Sequence, residues 1–318
     1  MRTVKVAAPA KVNLFLGIGE KQADGYHAAT SLMHALSMHD TLTFVAYPQG
    51  TPTELIPVKE QNRREVEEGG LVVTAEVEWH EALPDADLAL DENLVVEAVM
   101  SLARACGFPW KGRLHFLLEK HIPMQAGLGG GSADAAAALV GAAALWGVED
   151  EELLHRVARN LGVDVPFFLD GGCLLLEGRG DEPVRALEPR HDNVVLLLPA
   201  EGVNTAEAYR EFDKDPVEVP QGLLKQLEQA HCAADAPLFN NLASASERLL
   251  PKLADIRAWA SAQPGVRNVL LCGSGSATFA VCDSHRDALA MVTEASAKGY
   301  WARSTAFSRL RAAIVPDK

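Results

Sequence analysis

Four glycines in the five positions 127–131, followed at once by Ser132 and an alanine-rich run to Trp146, constrain this chain more than any other feature. Glycine enters backbone conformations that a Cβ forbids, and it lets the main chain touch a ligand. The run from Ala133 to Trp146 has high helix propensity, and Ser132 is a good N-cap residue. A helix that begins on such a loop presents unpaired N–H groups and roughly half a positive charge. The segment therefore reads as a phosphate cradle. No Gly-Lys-Ser/Thr follows, so it is not a Walker A loop, and Ser132 stands where GxGxxG would need glycine. Taken alone, the loop is also open to being a glycine-rich turn that only lets a helix pack closely.

The 318 residues are enough for two domains, and 48% hydrophobic with 23% charged residues is ordinary for a globular chain. A net charge of −14 argues against general binding of nucleic acid or anionic membrane, though a locally positive pocket can still take a small anion. The five cysteines (Cys106, Cys173, Cys232, Cys272, Cys282) form no CxxC pair. Zinc ligation is not expected, and a reduced, cytoplasmic setting is. No apolar run approaches the roughly 18–20 residues of a membrane helix. Lys11 and Asn13 interrupt the faintly signal-like start.

Alternating patterns predict strands over 3–18, 40–46 and 71–79, with a polar, solvated excursion over 48–70. Helical spacing after Asp91-Glu92-Asn93 predicts a helix to about Cys106. Further strands are expected at 114–118, 172–177, 194–198, 269–272, 278–282 and near Ala302. Further helices are expected at 133–146, 151–161, near Thr205 and Leu223, and at 242–262 and 284–297. A change of composition near 188–192 marks a domain boundary. Without strict βαβ alternation the chain reads as α+β.

Four other segments carry chemistry, each with an ordinary alternative. Pro9-Ala10-Lys11-Val12-Asn13 puts Lys11 and Asn13 on one strand face, although surface lysines are common. Asp24-Gly25-Tyr26-His27 reads as a turn followed by an aromatic and a polar ring: a base-stacking tyrosine beside a base-bonding histidine, or a plain loop. In Leu161-Gly162-Val163-Asp164-Val165-Pro166-Phe167-Phe168, Pro166 should hold Val165 extended and stop the helix. The lone Asp164 in this apolar stretch needs a partner; Lys11 is one candidate, and a helix cap is the alternative. Leu270 to Phe279, around Gly273-Ser274-Gly275, is a second small-residue loop or a tight hairpin.

The order of these segments is more specific than any one of them. Pro9-Ala10-Lys11-Val12-Asn13, then Pro123-Met124-Gln125-Ala126-Gly127-Leu128-Gly129-Gly130-Gly131-Ser132-Ala133, then Gly273-Ser274-Gly275 resemble the three motifs of the GHMP small-molecule kinases. Ala10 to Leu16, Asp24 to His27 and Gly162 to Phe168 are similar to the branch acting on a cytidine diphosphate alcohol. The resemblance implies a two-lobed α+β GHMP kinase fold. Residues 1–188 would form a ribosomal-protein-S5-like lobe and 189–318 a ferredoxin-like lobe. It implies Asp164 and Lys11 as catalytic residues, ATP on Pro123 to Ala133 with Asn93 near the adenine, and Mg²⁺ with ligands left unassigned. Asn13, Tyr26, His27, Tyr209, Gly273, Ser274 and Gly275 would bind the substrate, with small molecules as the only ligands and a monomer or homodimer as the working form. The sequence departs from the family at Gln125-Ala126, at Asn240-Asn241-Leu242 and in the length of 48–70. A sibling kinase acting on mevalonate derivatives, homoserine or a sugar has no use for Asp-Gly-Tyr-His and Tyr209. An inactive sensor has no use for both Lys11 and Asp164.

Overall fold

The computed structural model describes residues 2–23, 25–52, 64–80, 83, 93–108 and 110–316. In chain order the elements are β1 (Arg2–Lys21), β2 (His27–Pro48), β3 (Arg64–Glu68), β4 (Leu71–Trp79), α1 (Leu94–Ala105), β5 (Gly112–Lys120), α2 (Gly130–Trp146), α3 (Glu151–Leu161), α4 (Val165–Asp170), β6 (Cys173–Glu177), β7 (Glu182–Ala186), β8 (Asn193–Leu198), α5 (Thr205–Phe212), α6 (Gln221–Gln229), β9 (Phe239–Asn240), α7 (Ala243–Leu249), α8 (Lys252–Ser261), β10 (Val266–Leu271), β11 (Thr278–Cys282), α9 (His285–Ala297), β12 (Trp301–Ala306) and β13 (Ala313–Ile314). The first sheet runs β13-β1-β2-β5-β4-β3, with β6 on β2, β7 on β6 and β9 on β1; the second runs β10-β11-β8-β12. Short segments of the second half, β9 and β13, thus return to the first sheet.

β1 is buried from Ala8 to Ile18 because it has packing partners on both faces. Val6 and Ala8 join Phe44, Phe116 and the alanines of α2 in one core. Ala10, Val12 and Leu14 join Val194, Leu196 and Phe279 of the second sheet in another. On the far side of that sheet, Ile256, Ala260, Ala288 and Met291 bring in α8 and α9. Small residues let α2 lie close to the first sheet: a Cβ on Gly141 would sit 2.5 Å from the Phe44 ring. Pro9 has no N–H to give the ladder, and it lies where the β1–β2 register shifts between Pro9 and Lys11.

Several expectations are corrected. β2 runs through 27–39 as well as 40–46; the buried positions of 27–39 include polar His27, Ser31 and His34, so no apolar alternation marks it. Residues 64–68 of the expected excursion pair with β4 as β3, and β7 was not foreseen. Asp24, Asp91, Glu92 and residues 53–63 lie outside the described residues. The run over 242–262 is two helices, α7 and α8, parted at Leu250-Pro251. Val165 is not extended: Pro166 occupies the first turn of α4, where its missing N–H costs nothing, and Gly162 ends α3. Among the described residues no helix is long and apolar enough to cross a membrane.

Candidate active site

The glycine loop is pressed between two other parts of the chain. Gly127 has φ 75°, and a Cβ there would lie 2.1 Å from the Cys272 carbonyl oxygen. Gly129 has φ 72°, and its Cβ would lie 2.6 Å from Phe168 Cζ and 3.0 Å from Lys11 Cγ. Any side chain at either position would push the 272–276 loop, α4 or Lys11 away. Backbone bonds complete the clasp: Lys11 N–H donates to Leu128 O (3.0 Å) and Ala277 N–H to Ala126 O (3.0 Å). Gln125, one of the family departures, adopts φ 52°. The α2 N-cap is Gly129 rather than Ser132, since the left-handed turn at 129 starts the helix earlier. Ser132 instead sits in the first turn.

Lys11 and Asp164 meet at this loop. The Lys11 ammonium lies 3.2 Å from Asp164 Oδ2 and donates to Asn13 Oδ1 at 2.9 Å, as the shared strand face requires. Asn13 in turn donates to Ser31 Oγ at 2.8 Å. The lysine side chain is buried, whereas 28% of the Asp164 side chain is exposed. Asp164 holds the N-cap position of α4 without making a side-chain cap bond, so its carboxylate faces the lysine and the open site. That settles the choice between ion pair and helix cap.

Two cavities meet here. One, of about 710 Å³, is lined by Lys11, Asn13, Tyr26, His27, Asp164 and Tyr209, together with Gly273 and Ser274. The other, of about 530 Å³, is lined by Asn93, Lys120, Asp134 and the loop from Pro123 to Ser132. Gly127, Gly129, Ser132 and Thr205 line both. Ala133 and Gly275 line neither: α2 turns Ala133 into the core, and Gly275 is buried behind its loop. Asn93 is at the second cavity, but its side-chain oxygen caps α1 by accepting from Val95 N–H at 2.9 Å.

At the far end of the first cavity the His27 and Tyr209 rings lie 5.3 Å apart. Tyr26 is 52% exposed, and the Arg179 guanidinium stands 5.0 Å from its ring centroid. Burial, with a contribution from the Asp164 charge, pushes the Tyr209 phenol up to about 12. The 272–276 loop is braced by Asn240, which donates to Leu271 O and Gly273 O, and by Thr205 Oγ1 at 2.9 Å from Ser274 Oγ. Asn241, the other family departure, accepts from Ile18 N–H and donates to Ile18 O and Val217 O. An aspartate could not make those two donations.

Sequence reasoning missed a buried cluster beside the smaller cavity. Lys120 bonds to both Asp40 and Asp134, and Asp40 also accepts from Ile122 N–H at 2.8 Å. Burial pushes the Asp134 carboxyl up to about 7 against the pull of Lys120. Burial works to lower the Lys120 pKa, but the two carboxylates outweigh it and the net shift is upward. Arg179 and Asp213 were missed as well. Asp213 follows Tyr209 by four residues, a helical spacing that puts both on one face, and that was the available signal.

Comparison with known proteins agrees with this geometry. Residues 93–172 match the GHMP kinases N terminal domain and residues 222–300 the GHMP kinases C terminal domain. A 4-diphosphocytidyl-2-C-methyl-D-erythritol kinase from Salinispora tropica is 38% identical over 310 residues, covering 92% of this chain and 88% of the relative. A crystal structure of 4-(cytidine 5'-diphospho)-2C-methyl-D-erythritol kinase superposes with a TM-score of 0.72 at 29% identity, covering 96% of this chain and 99% of that one. A homoserine kinase from Cytophaga hutchinsonii shares the fold, with a TM-score of 0.68 at 17% identity and coverage of 99% and 98%.

Proposed function

The chain belongs to the 4-diphosphocytidyl-2-C-methyl-D-erythritol kinases of the GHMP superfamily, and on that premise we propose which of its residues carry the reaction. It is an ATP-dependent phosphotransferase. The acceptor is the 2-hydroxyl of 4-diphosphocytidyl-2-C-methyl-D-erythritol, a step toward isoprenoid precursors. What carries the residue assignment is the meeting of two cavities at Gly127, Gly129 and Ser132, with the Lys11–Asp164 pair lining the larger of the two.

The triphosphate lies along Pro123 to Ser132, its charge met by loop N–H groups and the start of α2. The acceptor alcohol enters from the larger cavity. Its oxygen attacks the γ-phosphorus in line, the new O–P bond forms, and the bond to the β-bridging oxygen breaks to release ADP. Asp164 takes the hydroxyl proton as the O–P bond forms, since a carboxylate does not deprotonate an alcohol beforehand. Lys11 orients that carboxylate and offsets charge on the transferring group. Positioning and fixed charge do most of the work.

Among the described residues no group of three His, Cys, Asp or Glu side chains is placed to hold a metal. A Mg²⁺ accompanying the triphosphate would be held on the protein side by the Ser132 hydroxyl at the cavity junction. When bound it would neutralise phosphate charge. At the other end, cytosine stacks on Tyr26 and Tyr209 and bonds to His27. Residues 1–188 and 189–318 form the two lobes, and the enzyme works in the cytoplasm as a monomer or homodimer on small molecules alone.

A coupled assay of ADP release tests the reading. The cytidyl diphosphate alcohol should be turned over, with mevalonate and homoserine inert. Turnover of either of those and not of the cytidyl alcohol would refute it.

A further inference from the structure

The His27 ring is braced from helix α5 at two points. Tyr209 lies beside the ring, and Asp213, the residue that ends the helix, places Oδ1 2.7 Å from His27 Nε2. The other carboxylate oxygen is not idle, because Lys21 donates to Asp213 Oδ2 at 2.9 Å. Lys21 and His27 are themselves register partners across the β1–β2 hairpin. One carboxylate thus ties both strands of that hairpin to the helix that carries Tyr209. Lys21, ahead of His27, holds the Asp213 carboxyl below the usual carboxylate range, so it is an acceptor at working pH.

A carboxylate accepts and does not donate. The proton of a neutral His27 ring must therefore sit on Nε2, where Asp213 takes it, and Nδ1 is left an acceptor. The second nitrogen's role in a histidine is set by the bond the first one makes. Cytosine and uracil differ in this respect: position 4 is an amino donor in cytosine and a carbonyl acceptor in uracil. With the base seated so that its position 4 meets Nδ1, an imidazole nitrogen held as an acceptor welcomes the first and opposes the second. Resting on the function proposed above, we infer that Asp213 is a positioning residue that sets base specificity: by fixing the His27 tautomer it makes the pocket accept a cytidyl diphosphate alcohol and reject its uridyl analogue.

A site that bonds a polar group rejects an analogue that leaves the pair mismatched far more strongly than one that only loses a contact. Removing the lock should therefore narrow the cytidyl-to-uridyl ratio of kcat/KM. A purely structural role would raise KM for both alike. The experiment compares wild type, Asp213→Ala and Asp213→Asn at about pH 8, where imidazoles are neutral. Asn fills the same volume but can turn its amide NH₂ toward Nε2 and release the other tautomer, so it keeps the test alive if Ala does not fold. The ratio is expected to fall about tenfold or more in the variants, a difference of about 1.4 kcal/mol. An unchanged ratio, whatever happens to the rates, overturns the inference alone. A wild-type enzyme that turns over neither alcohol overturns the proposed function and this inference with it. Nitrogen-15 NMR of His27 in the intact chain needs no substrate: the Nε2–H tautomer is expected, and an Nδ1–H tautomer would overturn the lock.

Discussion

Two lysine–carboxylate clusters flank the same glycine loop, built from the same residue types and put to different ends. On one side Lys11 meets a single acid, Asp164, whose side chain is 28% exposed to the larger cavity. On the other, Lys120 is closed in by Asp40 and Asp134, at 0% and 5% exposure. The second cluster joins the end of β5, β2 and the first turns of α2, and so staples both ends of the loop. Lys120 and Asp134 of that cluster line the smaller cavity, but its side chains are at most 5% exposed and are bonded to one another. A pair that opens on a cavity can exchange a proton with something that enters it. The two clusters differ in exposure, and the pair proposed to react is the more exposed one.

The largest effect should follow from Asp164→Asn. Turnover should fall by about 10²–10⁴-fold, the usual worth of a positioned proton acceptor, while ATP binding stays nearly intact. Steady-state kinetics with nucleotide titration checks this, and near-normal turnover would break the contrast. Lys120→Met should do the reverse. It leaves two carboxylates buried without their cation, at a cost of about 3–5 kcal/mol in urea unfolding. A variant as stable as wild type would show that the closed cluster is not a staple.

Gly129→Ala probes the loop between the two clusters. The new methyl group meets Phe168 and Lys11, so turnover should fall about 10²-fold through misplacement, with about 1–3 kcal/mol of lost stability from overpacking. Parallel kinetics and unfolding would separate the two.

The smallest effect is one of pH. Burial raises the Asp134 pKa above its unfolded value, so the stability it contributes is complete below the unfolded pKa of about 4 and is lost as pH rises through about 7. Asp134→Asn removes that dependence. The stability of wild type minus variant should fall across this window, and curves that stay parallel would contradict the sign.

The open cluster was legible in the sequence and the closed one was not. Lys11 stands two residues from Asn13 on a strand, and Asp164 is the lone acid between Val163 and Val165. Their neighbours make such charges conspicuous. Asp40, Lys120 and Asp134 each sit among unremarkable neighbours and meet only because β2, β5 and α2 pack together. Strand 27–39 was hidden because polar His27, Ser31 and His34 take buried positions in it, which erases the alternation that marks a strand. Ser132 looked like a helix cap because propensity favours serine there; the left-handed turn at Gly129 comes three residues earlier and takes the position. Asp213 was within reach, one helical turn from Tyr209, but its partners His27 and Lys21 belong to a hairpin far away in the chain.

In the proposed reaction two cavities meet at Gly127, Gly129 and Ser132, one for the nucleotide and one for the acceptor alcohol, with Lys11 and Asp164 lining the latter. The most direct test is a crystal structure with a non-hydrolysable ATP analogue and the cytidyl diphosphate alcohol bound together. The terminal phosphate is expected over Gly127, Gly129 and Ser132, with an acceptor hydroxyl about 3–3.5 Å from its phosphorus and within hydrogen-bond reach of Asp164. A hydroxyl held away from Asp164, or a terminal phosphate that points out of the loop, would contradict it.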